Sequence, residues 1–359
     1  MGVYIHQPKG WPVFRWDQDK LVPLLTAVRH RQGRHIGRME SLGPSLRSGI
    51  LLQTLVLDTV KSSETEGVLL NPGQVRSSLA RRLGIGITGL VHTEPQVERV
   101  AEMVTDAVQH YDKDLSADRI SGWHTAILTA EPADKHRVSA RDWRGHGKRN
   151  SPVHYETSDT TVLKSEMAKF LRWFNNEINL DPVIKAAIAQ RWFLSIHPFD
   201  EGNGRIARLI TNMQLSRAGD GACRGYSLSA EICREPGIYH SVLEKTGKAM
   251  PDITVWLEWF LTCMDRALVA ADETPGGTMG KARFRERHET GSFNSRQRQM
   301  IERLLGGSAG KLVSSTWATL TQCSQDTALR DIQDLVDRGI LQKDGAGGRS
   351  TGYLLKEPA

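Results

Sequence analysis

The chain has 359 residues, 25% of them charged and 39% apolar, with 33 glycines. Those proportions exclude bulk disorder, a collagen-like fibre and a disulfide scaffold, and the length suggests two or three folded units. Lysine and arginine number 47 against 41 acids, a net charge of +6, compatible with a phosphate-bearing ligand or with nucleic acid. The four cysteines (Cys223, Cys233, Cys263, Cys323) form no C-x-x-C pair and no zinc spacing, so reduced thiols are expected. No apolar run approaches the roughly 18 residues of a membrane helix. The start, Met1 to His6, has neither a secretory nor a myristoylation pattern. A cytoplasmic location without a membrane partner is expected.

In chain order, a helix is expected from about Asp19. A second runs from about Pro44 to Lys61, with Leu51, Leu52, Leu55 and Val56 on one face. Pro72-Gly73 reads as a turn before a helical stretch that ends at Gly84. Pro95 to Tyr111 places Val97, Val100, Ala101, Val104 and Val108 on one side of another helix. Val138 to Pro152 reads as a loop or short hairpin, and Ser158 to Asn175 as helix. Asp181-Pro182 looks like an N-cap followed by proline at the first helical position. That helix should end near His197-Pro198, and a new one with Ile206, Leu209, Ile210 and Met213 inward follows Gly204. Residues 273–291 are the best linker. Strand signals are confined to Val153–Tyr155 and Tyr353–Leu355.

The chemistry concentrates in His197-Pro198-Phe199-Asp200-Glu201-Gly202-Asn203-Gly204-Arg205-Ile206-Ala207-Arg208. This stretch leads into a helix start, where unpaired N–H groups and the helix dipole favour an anion. Gly202 and Gly204 allow backbone to approach phosphate where a Cβ would intrude. Arg205 and Arg208, three apart, can grip neighbouring phosphates. Glu201 offers a hard oxygen suited to Mg²⁺, and His197 can accept a proton near neutral pH. Upstream, Ser63-x-x-Glu66 has the spacing of a capping box.

The loop fills every defined position of H-x-F-x-[D/E]-G-N-G-R-x-x-R and so resembles the Fic family. The resemblance implies a compact helical core and transfer of AMP from Mg-ATP to a Ser, Thr or Tyr hydroxyl of a target protein, the chain itself included. His197 would be the general base and Phe199 the loop's anchor. Glu201 would hold Mg²⁺ against the α- and β-phosphates. Gly202, Asn203 and Gly204 would form the anion hole. Arg205 would stabilise phosphate charge, and Arg208 would bind the γ-phosphate. Relatives that phosphorylate carry Lys in place of Gly204, so glycine here favours AMP transfer. Ser62-Ser63-Glu64-Thr65-Glu66-Gly67 fits [S/T]-x-x-x-E-[G/N], the inhibitory helix motif of the same family. Ser62, Glu66 and Gly67 would then be the brake, with Glu66 on Arg208 in place of the γ-phosphate. Segments 29–34, 37–43 and 75–84, with Trp123-His124, extend the likeness. Asp142 to Pro152 shows no strand pair of normal length, so a shortened target-docking flap is expected.

The fold class expected is mainly α, with a Fic helical core, an N-terminal helical domain and a C-terminal winged helix domain. The boundaries are 1–85 for the N-terminal domain with the inhibitory motif, 86–272 for the catalytic core, 273–291 for the linker and 292–359 for the winged helix. In the last, Ala328, Ile332, Leu335 and Val336 form a helix's inner face and 345–353 a wing. Arg330 and Arg338 stand among Asp326, Asp331, Asp334 and Asp337. That charge disfavours DNA and favours protein interaction or a homodimer. The alternatives are removal of AMP by the same site, with Glu66 orienting a water, and a DNA-binding regulator whose Fic core senses nucleotide.

Overall fold

The computed structural model describes residues 13–128, 160–219, 224–246, 252–272, 284, 288, 293–305, 312–344 and 352–356. Two units are distinguished, Met1–Leu268 and Val269–Ala359. The protein is mainly α-helical. The helices run α1 Gln18–Glu40, α2 Pro44–Thr65, α3 Pro72–Leu83, α4 Pro95–Gln109, α5 Ala117–Leu128, α6 Thr160–Asn176, α7 Pro182–Ile196, α8 Asn203–Arg217, α9 Leu228–Arg234, α10 Pro236–Lys245 and α11 Thr254–Asp272.

The centre of the first unit is the pair α7 and α8. Every side chain of α7 from Val183 to Ile196 is buried, and almost all of α8 is. A helix covered all round must lie inside a core rather than on its surface. α7 starts as its sequence dictates: the Asp181 carboxylate accepts from the Val183 N–H at 2.8 Å, and Pro182 occupies the first turn. Trp256 of α11 donates to the Ala187 carbonyl at 2.9 Å, locking a large apolar side chain onto α7. The buried Arg191 is satisfied by Ser195 Oγ at 2.6 Å and the Thr246 carbonyl at 2.8 Å. α4, α5, α6 and α2 pack around this pair.

Two expectations near α2 are corrected. The helix does not end at Lys61 but runs on to Thr65. Lys61 and Glu64 pair at 2.7 Å, and Thr65 Oγ1 donates to the Lys61 carbonyl at 2.8 Å, so the polar segment stays helical. Ser63-x-x-Glu66 is therefore no capping box: it closes a helix rather than opening one. Glu66 is the C-cap and Gly67 follows at φ 78°. Gly67 N–H meets the Glu64 carbonyl at 2.9 Å and Val68 N–H the Ser63 carbonyl at 3.0 Å, a Schellman end. Likewise Pro72-Gly73 is not a turn. Asn71 caps α3, accepting from Gly73 N–H at 2.9 Å, with Pro72 in the first turn.

The second unit contains α12 Ser295–Leu305, α13 Ser314–Thr321, α14 Gln325–Asp337 and the antiparallel strands β1 Leu341–Lys343 and β2 Tyr353–Leu355. Its own core includes Met300, Trp317, Ala328, Ile332, Leu335 and Leu341. Val336 is half-buried, at the edge of that face. β1 was not expected from the sequence: three residues carry too little alternation to read. The acids of α14 do not all face solvent. Asp331 is buried and accepts from Arg296 Nε at 2.7 Å, and Asp334 accepts from Gln297 Nε2 at 2.8 Å. Among the described residues, no helix is long and apolar enough to cross a membrane. Cys233, Cys263 and Cys323 are free, and burial pushes the Cys263 thiol up to about 12. The expected loop at 138–152, strand at Val153–Tyr155, shortened flap and wing at 345–351 lie outside the described residues.

Candidate functional site

The site forms where α7 ends and α8 begins. His197 is the C-cap of α7, held at φ 47° and ψ 60°, with its N–H on the Phe193 carbonyl at 2.9 Å. A non-glycine residue in this left-handed region is uncommon, and such positions cluster at functional sites. The chain turns back through 198–201 and enters α8 at Gly202, whose φ of 80° a Cβ would strain. A side chain at Gly202 would also press on Ile127 Cγ2 at 3.2 Å.

Asn203 ties the turn together. Its Oδ1 accepts from the Phe199 N–H at 3.1 Å, its Nδ2 donates to the Phe199 carbonyl at 2.6 Å, and Nδ2 lies 3.4 and 3.5 Å from the two His197 ring nitrogens. Phe199 is buried and stacked on His124 of α5, ring centroids 3.7 Å apart and 11° from parallel. The turn is thus fixed from below by α5 and from within by Asn203. Glu201 stands exposed in it. Sequence reasoning does not find the structural partnership of His124 with Phe199, because one ring 75 residues upstream carries no local signal.

The start of α8 has no side-chain cap of its own at Gly202. Its first turn is met instead by Glu66. A Cβ built on Gly204 would fall 2.1 Å from Glu66 Oε1 and 3.2 Å from Arg208 Nη1. The carboxylate therefore rests in the hollow that glycine leaves, at the positive end of a buried helix. It also accepts from Arg208 Nη2 at 2.8 Å. Ser62 holds the same guanidinium, its Oγ accepting from Nε and its carbonyl from Nη2, both at 2.8 Å. Arg208 is buried, with the Tyr239 hydroxyl also beside it. A buried guanidinium beside a helix start that already holds a carboxylate makes a setting suited to an anion.

Burial works to raise the Glu66 carboxyl. The charge and hydrogen bond of Arg208, with the charges of Arg205 and His240, outweigh it and hold the group below its usual 4.5. Of the expected residues, the structure brings His197, Asn203, Gly204, Arg208, Ser62 and Glu66 into one continuous set of contacts. Gly202 and Gly67 act through the backbone, Gly67 by ending α2 where Glu66 can reach α8. Arg205 is buried and adds its charge to the field at Glu66. Among the described residues, no group of three or more His, Cys, Asp or Glu could hold a metal ion unaided. A single exposed carboxylate at Glu201 suits Mg²⁺ that arrives with phosphates, since that ion takes few protein ligands.

Two family models match the chain. Residues 114–215 match the Fic/DOC family, and residues 4–85 match a domain of unknown function, DUF4172. The chain is similar to protein adenylyltransferase fic-1 of Caenorhabditis elegans, 25% identical over 218 residues, which is 56% of this chain and 40% of that protein. It is similar to protein adenylyltransferase Fic of Drosophila melanogaster, 49% identical over 55 residues, 15% of this chain and 11% of that one. The matched region thus spans well under half the length of these curated relatives. Among solved structures, a Fic family protein from Desulfovibrio desulfuricans G20 superposes with a TM-score of 0.54 at 19% identity, covering 97% of this chain and 99% of that one. The C. elegans Fic-1 fragment of residues 134–508 gives 0.50 at 21% identity, with 74% and 76% covered. At such identities the superpositions show a common fold. The α7–turn–α8 element with its His197-to-Arg208 loop lies inside the matched region, and by that match residues 114–215 belong to the Fic/DOC family.

Proposed function

We propose that the chain is a protein adenylyltransferase, moving AMP from Mg-ATP to a hydroxyl of a target protein, and that Glu66 holds it in check. The observation that carries this reading is the Glu66 carboxylate seated against Gly204 and on Arg208. It supports a reading in which the helix start is an anion site and the carboxylate competes for it. In the reaction the target oxygen attacks the α-phosphorus, the bond to the β-phosphate oxygen breaks and pyrophosphate leaves. His197 takes the hydroxyl proton. Backbone N–H groups of 202–204 and the two arginines meet the phosphate charge. Glu201 would hold Mg²⁺, which neutralises phosphate charge when bound. The organisation that goes with this reading is 1–85 as the inhibitory helical domain, 86–272 as the core, 273–291 as linker and 292–359 as a winged helix.

Incubation of the chain with ATP labelled at the α-phosphate, and separately at the γ-phosphate, tests the chemistry. AMP transfer puts the first label on protein and leaves the second in solution. Protein carrying the γ label would make this a phosphotransferase and end the proposal.

Two further results are expected. Gly204→Ala places a methyl where the Glu66 carboxylate lies. The carboxylate must move, but the same methyl fills the hollow that a phosphate needs. Calorimetry should therefore show no gain in ATP affinity, in contrast to Glu66→Gly. The second concerns pH. A carboxylate held low in the folded chain contributes stability above its unfolded value and loses it as pH falls through the lowered one. With Glu66 held below 4.5, its contact with Arg208 persists through neutral and mildly acid solution. The ratio of ATP affinity between Glu66→Gly and wild type should then stay flat from about pH 8 to about pH 5.5. A collapse of that ratio near pH 6 would assign the hold on Arg208 to another group.

A further inference from the structure

α2 meets α8 at two polar rungs. The first is Ser62 and Glu66 with Arg208. The second lies one turn back along α2 and one turn on along α8, between Asp58 and Asn212. Both residues are buried, at 4% and 8% exposure. Asp58 Oδ2 accepts from Asn212 Nδ2. Asp58 Oδ1 accepts from Ser227 Oγ at 2.6 Å and from the Ser229 N–H at 3.2 Å, at the start of α9. Asn212 cannot turn its amide over, because its Oδ1 accepts from Arg224 Nη1 at 2.9 Å. A buried carboxylate persists where its oxygens are satisfied, and here they are spent on joining α2 to α8 and α9.

α2 packs mainly on α9 and α3 and only lightly on α8. A pocket of about 30 Å³ lies beside the rungs, lined by Leu55, Val100, Val104 and Leu209 together with Asp58 and Ser62. With so little apolar contact to α8, the polar rungs help set where α2 stands along it.

We infer that Asp58 and Asn212 are positioning residues of the brake: their contact fixes the reach of α2, so that Glu66 lands on Arg208 and against Gly204. This inference rests on the reading of Glu66 given above. It assigns to a residue remote from the phosphate pocket a share in closing it.

Asp58→Asn is a selective test. The new side chain keeps an oxygen for Ser227 and Ser229 but turns an amide toward the Asn212 amide, donor against donor. α2 then stays on α9 and loses the second of its two rungs on α8. Asn212→Ala breaks the same rung from the other side. Self-labelling from α-labelled ATP should rise at least threefold in either variant, less than in Glu66→Gly, with a lower KM for ATP. Added to Glu66→Gly, neither change should raise labelling further. A merely structural defect would lower labelling in both backgrounds and leave KM unmoved, and that result overturns the inference. So does wild-type labelling in both single variants while Glu66→Gly is activated. If Glu66→Gly itself is not activated, the brake reading fails first and this inference falls with it.

Discussion

Glu66→Gly should bind ATP roughly 10- to 150-fold more tightly than wild type and label itself correspondingly faster at limiting nucleotide. The magnitude follows from what must be broken. A hydrogen bond to a charged group contributes about 1.5–3 kcal/mol, and each 1.4 kcal/mol is about tenfold in affinity. In the resting chain that contribution goes to Glu66 on Arg208 at 2.8 Å. A triphosphate that uses the same guanidinium must first displace it, so the contact is subtracted from the binding free energy. The substitution also has a cost without nucleotide. Arg208 is left buried with Ser62 as its acceptor, and the free variant should melt lower than wild type. ATP should restore that loss, since binding adds stability to the folded state alone. Opposite signs in the two conditions make the result specific. Calorimetry giving equal affinities for variant and wild type would show that Glu66 guards nothing.

The parts of this site that the sequence announces are those whose residue types the backbone itself demands. Gly202 stands at φ 80° and Gly204 faces a carboxylate that would meet any Cβ. The Asp181-Pro182 start of α7 is equally local. What fails is whatever depends on a distant partner. The apolar face of α2 stops near Lys61, so periodicity ends the helix there. Contacts of Ser62 with a guanidinium 146 residues away accompany its continuation. Asp58 and Arg224 read as ordinary polar positions and His124 only as part of a likeness, and their burial in one polar network or one ring stack is set by three-dimensional closure. Charge counting on α14 misses one partner for the same reason: Asp331 is buried on Arg296 of α12, while Asp326, Asp334 and Asp337 stay exposed beside Arg330.

His197→Ala should abolish self-labelling even in the Glu66→Gly background, with a loss of about 10²–10⁴-fold, the usual worth of a positioned general base. ATP affinity should remain that of Glu66→Gly, because Arg208, Arg205 and the α8 start are untouched. The backbone complicates this variant. His197 sits at φ 47°, where alanine is strained by roughly 1–2 kcal/mol. A dead enzyme could then reflect a disturbed turn rather than a missing base. Asn203 makes that concern concrete, since it bonds both the Phe199 backbone and the neighbourhood of the imidazole. His197→Asn separates the two. Asparagine tolerates the left-handed region, so the turn and the melting temperature should stay closer to wild type. It offers no base at neutral pH, so labelling should be lost as fully as with alanine. Substantial labelling by His197→Asn would mean that the target hydroxyl gives its proton to something other than this imidazole.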